Sequence, residues 1–405
     1  MRELKIQIPS GAEKIISRLE VCGFRADIVG GCVRDSLLGR CANDFDITTS
    51  ASPQQMLEAF SDFRVIETGI SHGTLTVISD SVPYEVTSYR IDGEYSDSRH
   101  PDKVTFTSRI EDDLCRRDFT VNAMAYSDRH GLTDLFGGRE DLDRRLIRAV
   151  GRAEERFSED ALRILRALRF SSVLSFEIEE ETALAAKKCK VLLENISKER
   201  IYTEWKKLVG GPSAYRVISR FFDIIRVFLP ELSEGVLPSE DAFCNAEALP
   251  RMLALFAVNL GDAAPEAFVI AMQRLRTDKK TREDGRLALQ SLTAPLETKS
   301  DFLRLLSKVG GECAYLTLKV RVILGLSDSA ALRRLDKVLS CGIPYSTSEL
   351  KIDGEELMRL GFSGKEISLA KNALLEAVMA EAVDNERDSL ISEAKRLSDV
   401  YSSQS

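Results

Sequence analysis

The chain has 405 residues, 44% of them hydrophobic, with a formal net charge of −8. That length provides for two to four domains at ~150 residues each, and the charge argues against a strongly basic nucleic-acid binder while leaving room for a local basic surface. Eight cysteines without a C-x-x-C pair, and three histidines without ligand spacing, argue against a disulfide framework or a zinc site and point to reduced thiols.

The opening Met1-Arg-Glu-Leu-Lys-Ile6 lacks an apolar signal core. No stretch reaches ~18 uninterrupted apolar residues, so a cytoplasmic protein with no membrane partner is expected. Helical spacing from Ala12 to Glu20 leads into the apolar run Ala26 to Val29, the Gly30-Gly31 turn and a second helical start. Cys41-Ala-Asn-Asp-Phe-Asp-Ile-Thr-Thr49 then reads as a short strand with an acid on each side of Phe45. Ser52-Pro-Gln-Gln55 offers an N-cap serine, a proline at the first helical position and a glutamine three residues after the cap, so a helix is expected there. Strands are expected around Thr74 to Ile78 and Tyr84 to Tyr89, a polar mobile loop from Asp92 to Lys103, and a buried strand from Phe119 to Tyr126. Beyond Asp141, apolar residues at helical spacing dominate, as in Ala161 to Phe170 and Arg251 to Leu260. Joints are expected at Gly210-Gly-Pro212, Leu229-Pro-Glu-Leu232, Leu237-Pro238 and Gly310-Gly311.

Side chains alternate along a strand, so Asp44 and Asp46 would share one face while Phe45 turns into the core. Adjacent carboxylates repel unless a cation neutralises them, and Mg²⁺ takes one or two protein carboxylates plus substrate phosphates. Solvated acids at a strand end are the plain alternative. Upstream, the Gly30 and Gly31 turn would let backbone N–H groups approach an anion and Arg34 grip a triphosphate; a tight turn with an Arg34–Asp35 surface pair explains the same residues. Together these features describe a nucleotidyl-transfer site, in which metals activate a 3′ hydroxyl and stabilise the leaving pyrophosphate. Glu85 is the candidate third carboxylate or else a solvent-facing strand residue, and Asp80 sits in a turn.

Ordered motifs then carry a resemblance over at least the first ~210 residues. Gly30-Gly-Cys-Val-Arg-Asp35 with Asp44-Phe-Asp46, Arg116-Arg-Asp-Phe-Thr-Val-Asn-Ala123, Asp134-Leu-Phe-Gly-Gly-Arg-Glu-Asp141, Glu159-Asp-Ala-Leu-Arg163-Ile-Leu-Arg166-Ala-Leu-Arg169 and Ile196-Ser-Lys-Glu-Arg-Ile-Tyr-Thr-Glu-Trp-Lys-Lys207 resemble, in order, motifs of the class II tRNA nucleotidyltransferases. That family comprises the CCA-adding enzymes and their relatives, the bacterial poly(A) polymerases. The resemblance implies an α+β chain: an N-terminal mixed α/β nucleotidyltransferase (polymerase-beta-like) head over 1–140, a helical neck over 141–208, a body over 209–310 and a tRNA-binding tail over 311–405.

The implied reaction is template-independent addition of C, C and A to the 3′ end of tRNA from CTP and ATP, with Mg²⁺ as cofactor. In it, Arg117 and Asp118 would contact the nucleotide sugar, and an aspartate and an arginine of the fourth motif would read the base. Ser158 looks like the N-cap of a helix running through Phe170. On that helix Asp160 and Arg163 lie one turn apart, offset by about 60°, while Arg169 points nearly opposite Asp160. Base reading is therefore assigned to Asp160 and Arg163, and a supporting or phosphate role to Arg166 and Arg169. Lys198, Arg200, Lys206 and Lys207, beside Trp205, form a candidate RNA-binding patch, and the tRNA elbow would be held through shape and phosphate contacts.

The tyrosine, arginine and proline of the Asp92 to Lys103 loop look more like the CCA-adding enzymes, and Leu350 to Gly361 resembles their tail. The chain shows no histidine-aspartate phosphohydrolase signature, so a fused phosphatase is not expected, and no basic C-terminal extension of the sort poly(A) polymerases often carry, which favours tRNA as substrate. A poly(A) polymerase, a split enzyme adding only CC or only A, and a non-catalytic RNA-binding protein remain the alternatives. The oligomeric state is open.

Overall fold

Ala12, Ile15, Ile16 and Leu19 recur at helical spacing and form the buried stripe that seats α1 (Ser10–Val21) on a β-sheet. The computed structural model describes residues 5–42, 44–93, 104–232 and 234–402, so most of the loop expected between Asp92 and Lys103 lies outside the described residues. The chain divides into two units, Met1–Pro230 and Glu231–Ser405.

In the first unit the strands are β1 (Ala26–Val29), β2 (Asp46–Thr49), β3 (Arg64–Ile66), β4 (Thr74–Ser79), β5 (Val82–Ser88), β6 (Arg90–Asp92), β7 (Val104–Phe106), β8 (Met124–Ser127), β9 (Gly131–Asp134), β10 (Leu146–Ile147) and β11 (Glu177–Ile178). Seven of them form one mixed sheet in the order β3-β4-β5-β2-β1-β8-β9, in which β2 and β5 run parallel and the other neighbours antiparallel. Strands β6 and β7 pair separately as a hairpin. Helices α2 (Gly31–Leu37) and α3 (Pro53–Ala59) follow β1 and β2. The start of α3 is the expected capping box, with Ser52 Oγ accepting from Gln55 N and Gln55 Oε1 from Ser52 N.

After α4 (Ile110–Cys115) and α5 (Gly138–Asp143) the unit becomes helical: α6 (Ala153–Glu159), α7 (Leu162–Leu174), α8 (Glu180–Cys189), α9 (Lys198–Gly210), α10 (Ala214–Arg220) and α11 (Phe222–Phe228). Trp205 is 1% exposed and meets Phe228 edge-to-face at 5.7 Å, so it is a core residue of this region and not part of a surface patch.

The second unit is helical between Glu240–Cys244 and Arg387–Ser402. Phe302, Leu306, Leu318, Leu335, Leu357 and Leu374 belong to its apolar core. The stretch Ala248–Arg274 is long and apolar enough to cross a membrane, but Gly261, at φ 51°, breaks it into Ala248–Leu260 and Ala264–Arg274. The Phe256 and Phe268 rings of those two helices meet edge-to-face at 5.3 Å, as core helices pack.

Three local expectations change. Strand β2 begins at Asp46, so Asp44 and Phe45 precede it and Phe45 is half-buried instead of core-facing. The reason is the ladder: Asp46 pairs with Val29, after which the chain leaves β1 at Gly30 and offers Asp44 no neighbour. The strand expected from Phe119 is replaced by a 3-10 turn, Thr120–Asn122, and only β8 joins the sheet. There Asp118 Oδ1 accepts from Phe119 N at 2.8 Å and from Asn122 Nδ2 at 3.1 Å, which closes the turn. Finally, Ser158 is not an N-cap; it lies inside α6 and donates to Glu154 O. The helix breaks at Asp160, whose extended backbone (φ −139°, ψ 102°) lets Oδ1 accept from Leu162 N at 3.0 Å.

Candidate active site

Two registers build the acidic edge. Val29 pairs with Asp46, placing the Gly30 turn beside the start of β2, and Ile47 pairs with Val86 across the parallel strands. Asp46 and Glu85 each precede one of that second pair, so they project from the same face. Glu85 is exposed. Burial, then Asp44 and Glu85, push the Asp46 carboxyl up to about 6, with Arg117 opposing. Such a concentration of carboxylate charge is what a hard divalent cation relieves, so these residues fit one. Among the described residues no three His, Cys, Asp or Glu side chains form a ready-made ligand cluster. Cys32, 2% exposed, is pushed up to about 12 by burial and by Asp46, so it packs beneath the acids and is no nucleophile.

Gly30 is required where it stands. Its φ is +81°, and a Cβ there would lie 3.1 Å from Arg117 Nη1. Arg117 is aimed by Asp113, a fully buried acid that the sequence reading missed. Asp113 accepts from Arg117 Nη2 at 3.2 Å, from Arg116 Nε and Nη2 at 3.0 and 2.7 Å, and from Thr48 Oγ1 at 3.2 Å. Burial pushes Asp113 upward, but Arg116 and Arg117 outweigh it and hold the carboxyl below the usual range. Arg117 Nε is buried and finds no hydrogen-bond partner among the described residues.

Arg34 is nearly buried and ion-paired: Nε and Nη2 donate to the two Asp35 oxygens at 2.9 Å, and Nη1 donates to Asn122 Oδ1 at 2.6 Å. Asn122 passes the connection to Asp118, whose Oδ2 accepts from Arg166. Burial would raise Asp118, yet Arg166 and Asn122 bring it down to about 2, so it is ionised at neutral pH. Phe170 links the same groups from another side. The guanidinium carbons of Arg169, Arg34 and Arg166 lie 3.8, 5.2 and 5.5 Å from its ring centroid.

The fourth-motif side chains are all engaged. Asp160 Oδ2 accepts from Arg200 Nη2 at 2.8 Å. Arg163 Nη1 donates to Glu159 at 2.6 Å and to Arg156 O at 3.1 Å, and its Nη2 donates to Arg116 O at 3.0 Å. Arg169 pairs with Glu204 of α9, so Asp160 and Arg169 both face α9, through residues four apart on that helix. The expectation that Arg169 points away from Asp160 fails because the helical count cannot be carried through an extended residue. Arg200 sits in this cluster, whereas Lys206 and Lys207 are exposed and Lys198 donates to Glu194 O. Asp113, Asn122, Glu159 and Glu204 carry no signal beyond their place in or next to the arginine-bearing motifs.

Residues 26–148 match the family described as Poly A polymerase head domain, and residues 175–235 the one described as Probable RNA and SrmB- binding site of polymerase A. A CCA-adding enzyme of Lactobacillus delbrueckii subsp. bulgaricus is 37% identical over 92% of this chain and 94% of its own length. One of Lactobacillus helveticus is 37% identical over 94% of this chain and 95% of its own. The crystal structure of the Bacillus stearothermophilus CCA-adding enzyme in complex with CTP superimposes with a TM-score of 0.84 at 30% identity, covering 98% of this chain and 100% of that one. With likeness of that extent over both the sheet-bearing unit and the helical one, the chain belongs to the CCA-adding enzymes and is a nucleotidyltransferase.

Proposed function

We propose that this enzyme adds C, C and A to the 3′ end of tRNA from CTP and ATP, with Asp44 and Asp46 holding Mg²⁺ and Glu85 adding charge beside them. The family uses a divalent metal, and Mg²⁺ is the ion that suits two carboxylates completed by phosphate oxygens. When bound, it would supply Lewis-acid activation of the attacking 3′ hydroxyl and charge neutralisation on the departing pyrophosphate. The observation that carries this assignment is the register that brings half-buried Asp46 beside the Gly30 turn and Glu85 and next to Asp44, where Asp44 and Glu85 press against it and Arg117 opposes them.

The remaining groups bind and orient. Gly30 N donates to Met124 O at 3.1 Å and so fixes the turn, which leaves the Gly31 amide at the start of α2 for a phosphate, and Arg34 holds that turn to Asn122. Asp118, ionised and fixed by Arg166, is suited to accept from a ribose 2′-OH, with Arg117 alongside. Asp160 and Arg163 read the base, while Arg166 and Arg169 support them. The head (1–140) carries the chemistry, the neck (141–208) selects the nucleotide, and the body (209–310) and tail (311–405) hold the tRNA elbow, with Lys198, Lys206 and Lys207 toward the RNA backbone. All eight cysteines are free, which suits the reducing cytoplasm where tRNA is matured.

The test supplies the enzyme and Mg²⁺ with tRNAs ending before CCA, after C or after CC, and with CTP, ATP or both. Growth that stops at the completed CCA end is expected. Long adenosine tails, or addition of only one nucleotide type, would overturn the reading.

A further inference from the structure

We infer that Asp113 is a positioning residue for sugar selection, holding Arg117 so that the 2′-OH of the incoming nucleotide meets a donor as well as an acceptor; this rests on the assignment of Arg117 and Asp118 to the sugar. Asp113 lies in α4, where Glu111 and Asp112 already supply the acids that a helix start favours, so helix stability does not account for it. It is fully buried, as is Thr48, two residues along β2 from Asp46. A carboxylate taken out of water adds little net stability even when paired, and apolar groups of similar volume often serve a fold as well. What this one fixes is placement. Its Oδ1 accepts from Nε and Nη2 of Arg116, while its Oδ2 accepts from Thr48 Oγ1 and from Nη2 of Arg117. Arg117 is thus gripped by one nitrogen. Its Nε is buried with no hydrogen-bond partner among the described residues, and its Nη1 lies over the Gly30 turn.

The chemistry of a hydroxyl says why the placement matters. A 2′-OH gives one hydrogen and offers oxygen lone pairs, so a site that reads it fully sets both an acceptor and a donor against it. Asp118, held ionised chiefly by Arg166, is the acceptor. Arg117, its chain neighbour, is the donor. A guanidinium nitrogen shut away from water carries a desolvation penalty until an acceptor reaches it. A 2′-deoxynucleotide would leave both protein groups unpaired, and a site built to bond a hydroxyl rejects the analogue that lacks it. Asp46 competes for the same guanidinium, since the two attract each other. The Asp113 contact, four residues back along the chain, holds Arg117 off that acid, and Thr48 fastens Asp113 to the strand that carries Asp46.

Full-length wild type, Asp113→Asn, Asp113→Glu, Arg117→Ala and the double variant Asp113→Asn with Arg117→Ala are compared by kcat/KM. The substrates are CTP and 2′-deoxy-CTP on a tRNA lacking CCA, and ATP and 2′-deoxy-ATP on a tRNA ending in CC. Asp113→Asn is expected to cut use of the ribonucleotides by roughly 30-fold and of the deoxynucleotides by less than about 3-fold, so that discrimination falls about tenfold. Asp113→Glu keeps the charge that balances the arginines but moves it by one methylene, and is expected to lose discrimination while melting closer to wild type. In the Arg117→Ala background, Asp113→Asn should change the ratio no further, because a residue acting through Arg117 has nothing left to position. A purely structural residue would lower ribonucleotide and deoxynucleotide use equally, and that outcome overturns the proposal. So does unchanged discrimination in either Asp113 variant, or an additive loss in the double variant. Should Asp113→Asn fail to fold, Asp113→Glu decides by the same ratio. If Arg117→Ala keeps full discrimination, the sugar contact by Arg117 falls and this inference with it; if Arg117→Ala loses discrimination and Asp113→Asn does not, only the role of Asp113 falls.

Discussion

Arg166 donates through Nε at 2.8 Å and Nη2 at 2.5 Å to a single oxygen, Oδ2, of Asp118. Oδ1 is left to Phe119 N and Asn122 Nδ2, so every lone pair facing the protein is used and an ionised acid is held at 8% exposure. Removing one partner of such a pair strands the other charge. Arg166→Met is expected to cost about 3 kcal/mol, near the low end for buried pairs because the arginine keeps 35% of its side chain exposed. Urea unfolding of the two proteins checks this, and a loss under about 1 kcal/mol would mean that water replaces the clamp without difficulty.

The same clamp gives the enzyme an acid-labile contribution. Asp118 binds its proton near 2 in the folded chain against an ordinary 3.8. Across that interval the unfolded chain holds the extra proton, so stability rises with pH, is fully present above about pH 4 and is lost as the pH falls toward 2. The gap corresponds to about 2.5 kcal/mol. The stability difference between wild type and Arg166→Met should therefore narrow as the pH drops below 4. A difference that stays constant from pH 6 to pH 2 would falsify the linkage.

Asp46 behaves in the opposite sense. Burial, Asp44 and Glu85 raise it to about 6 from an ordinary 3.8, so the folded chain holds the proton more tightly and ionisation costs stability at neutral pH. In the metal-free enzyme Asp46→Asn should gain about 1–3 kcal/mol of stability while losing nucleotide transfer by at least ~10³-fold. Mg²⁺ should raise the melting temperature of wild type more than that of Asp46→Asn. Equal Mg²⁺ shifts in the two proteins would show that Asp46 is not a ligand.

What could be read from sequence alone was local. Ser52, Pro53 and Gln55 announce α3 through contacts three residues apart, and Ala26 to Val29 followed by Gly30 announces a strand ending in a turn. The break at Asp160 was not legible, since Ser158, Glu159 and Asp160 are all good helix-start residues. The choice among them accompanies Arg200, forty positions downstream, gripping Asp160. Asn122 was invisible for the same reason: its partner Arg34 lies 88 residues away, and an asparagine in a motif does not say which arginine it will accept from. The helical count from Asp160 to Arg169 failed through that one extended residue, although the periodicity within α7 itself was right.

Phe170 is where these long-range contacts converge. It is 6% exposed, stacks under Arg169 at 3.8 Å, meets Arg34 and Arg166 at 5.2 and 5.5 Å, and packs edge-to-face on Phe119 at 5.8 Å. The ring's negative face lets three like charges sit together, while Asp35, Asp118 and Glu204 neutralise their outer ends. Phe170→Leu preserves most of the buried apolar area but removes that face, at about 0.5–1 kcal/mol per guanidinium. The arginines should then lose their common orientation. The KM for CTP and ATP is expected to rise about 5- to 10-fold with a smaller change in kcat, because binding and positioning suffer before the acids at Asp44 and Asp46 do. Steady-state kinetics with each nucleotide, alongside a thermal melt to confirm folding, decide it. An unchanged nucleotide KM in a folded Phe170→Leu enzyme would reduce the ring to core packing.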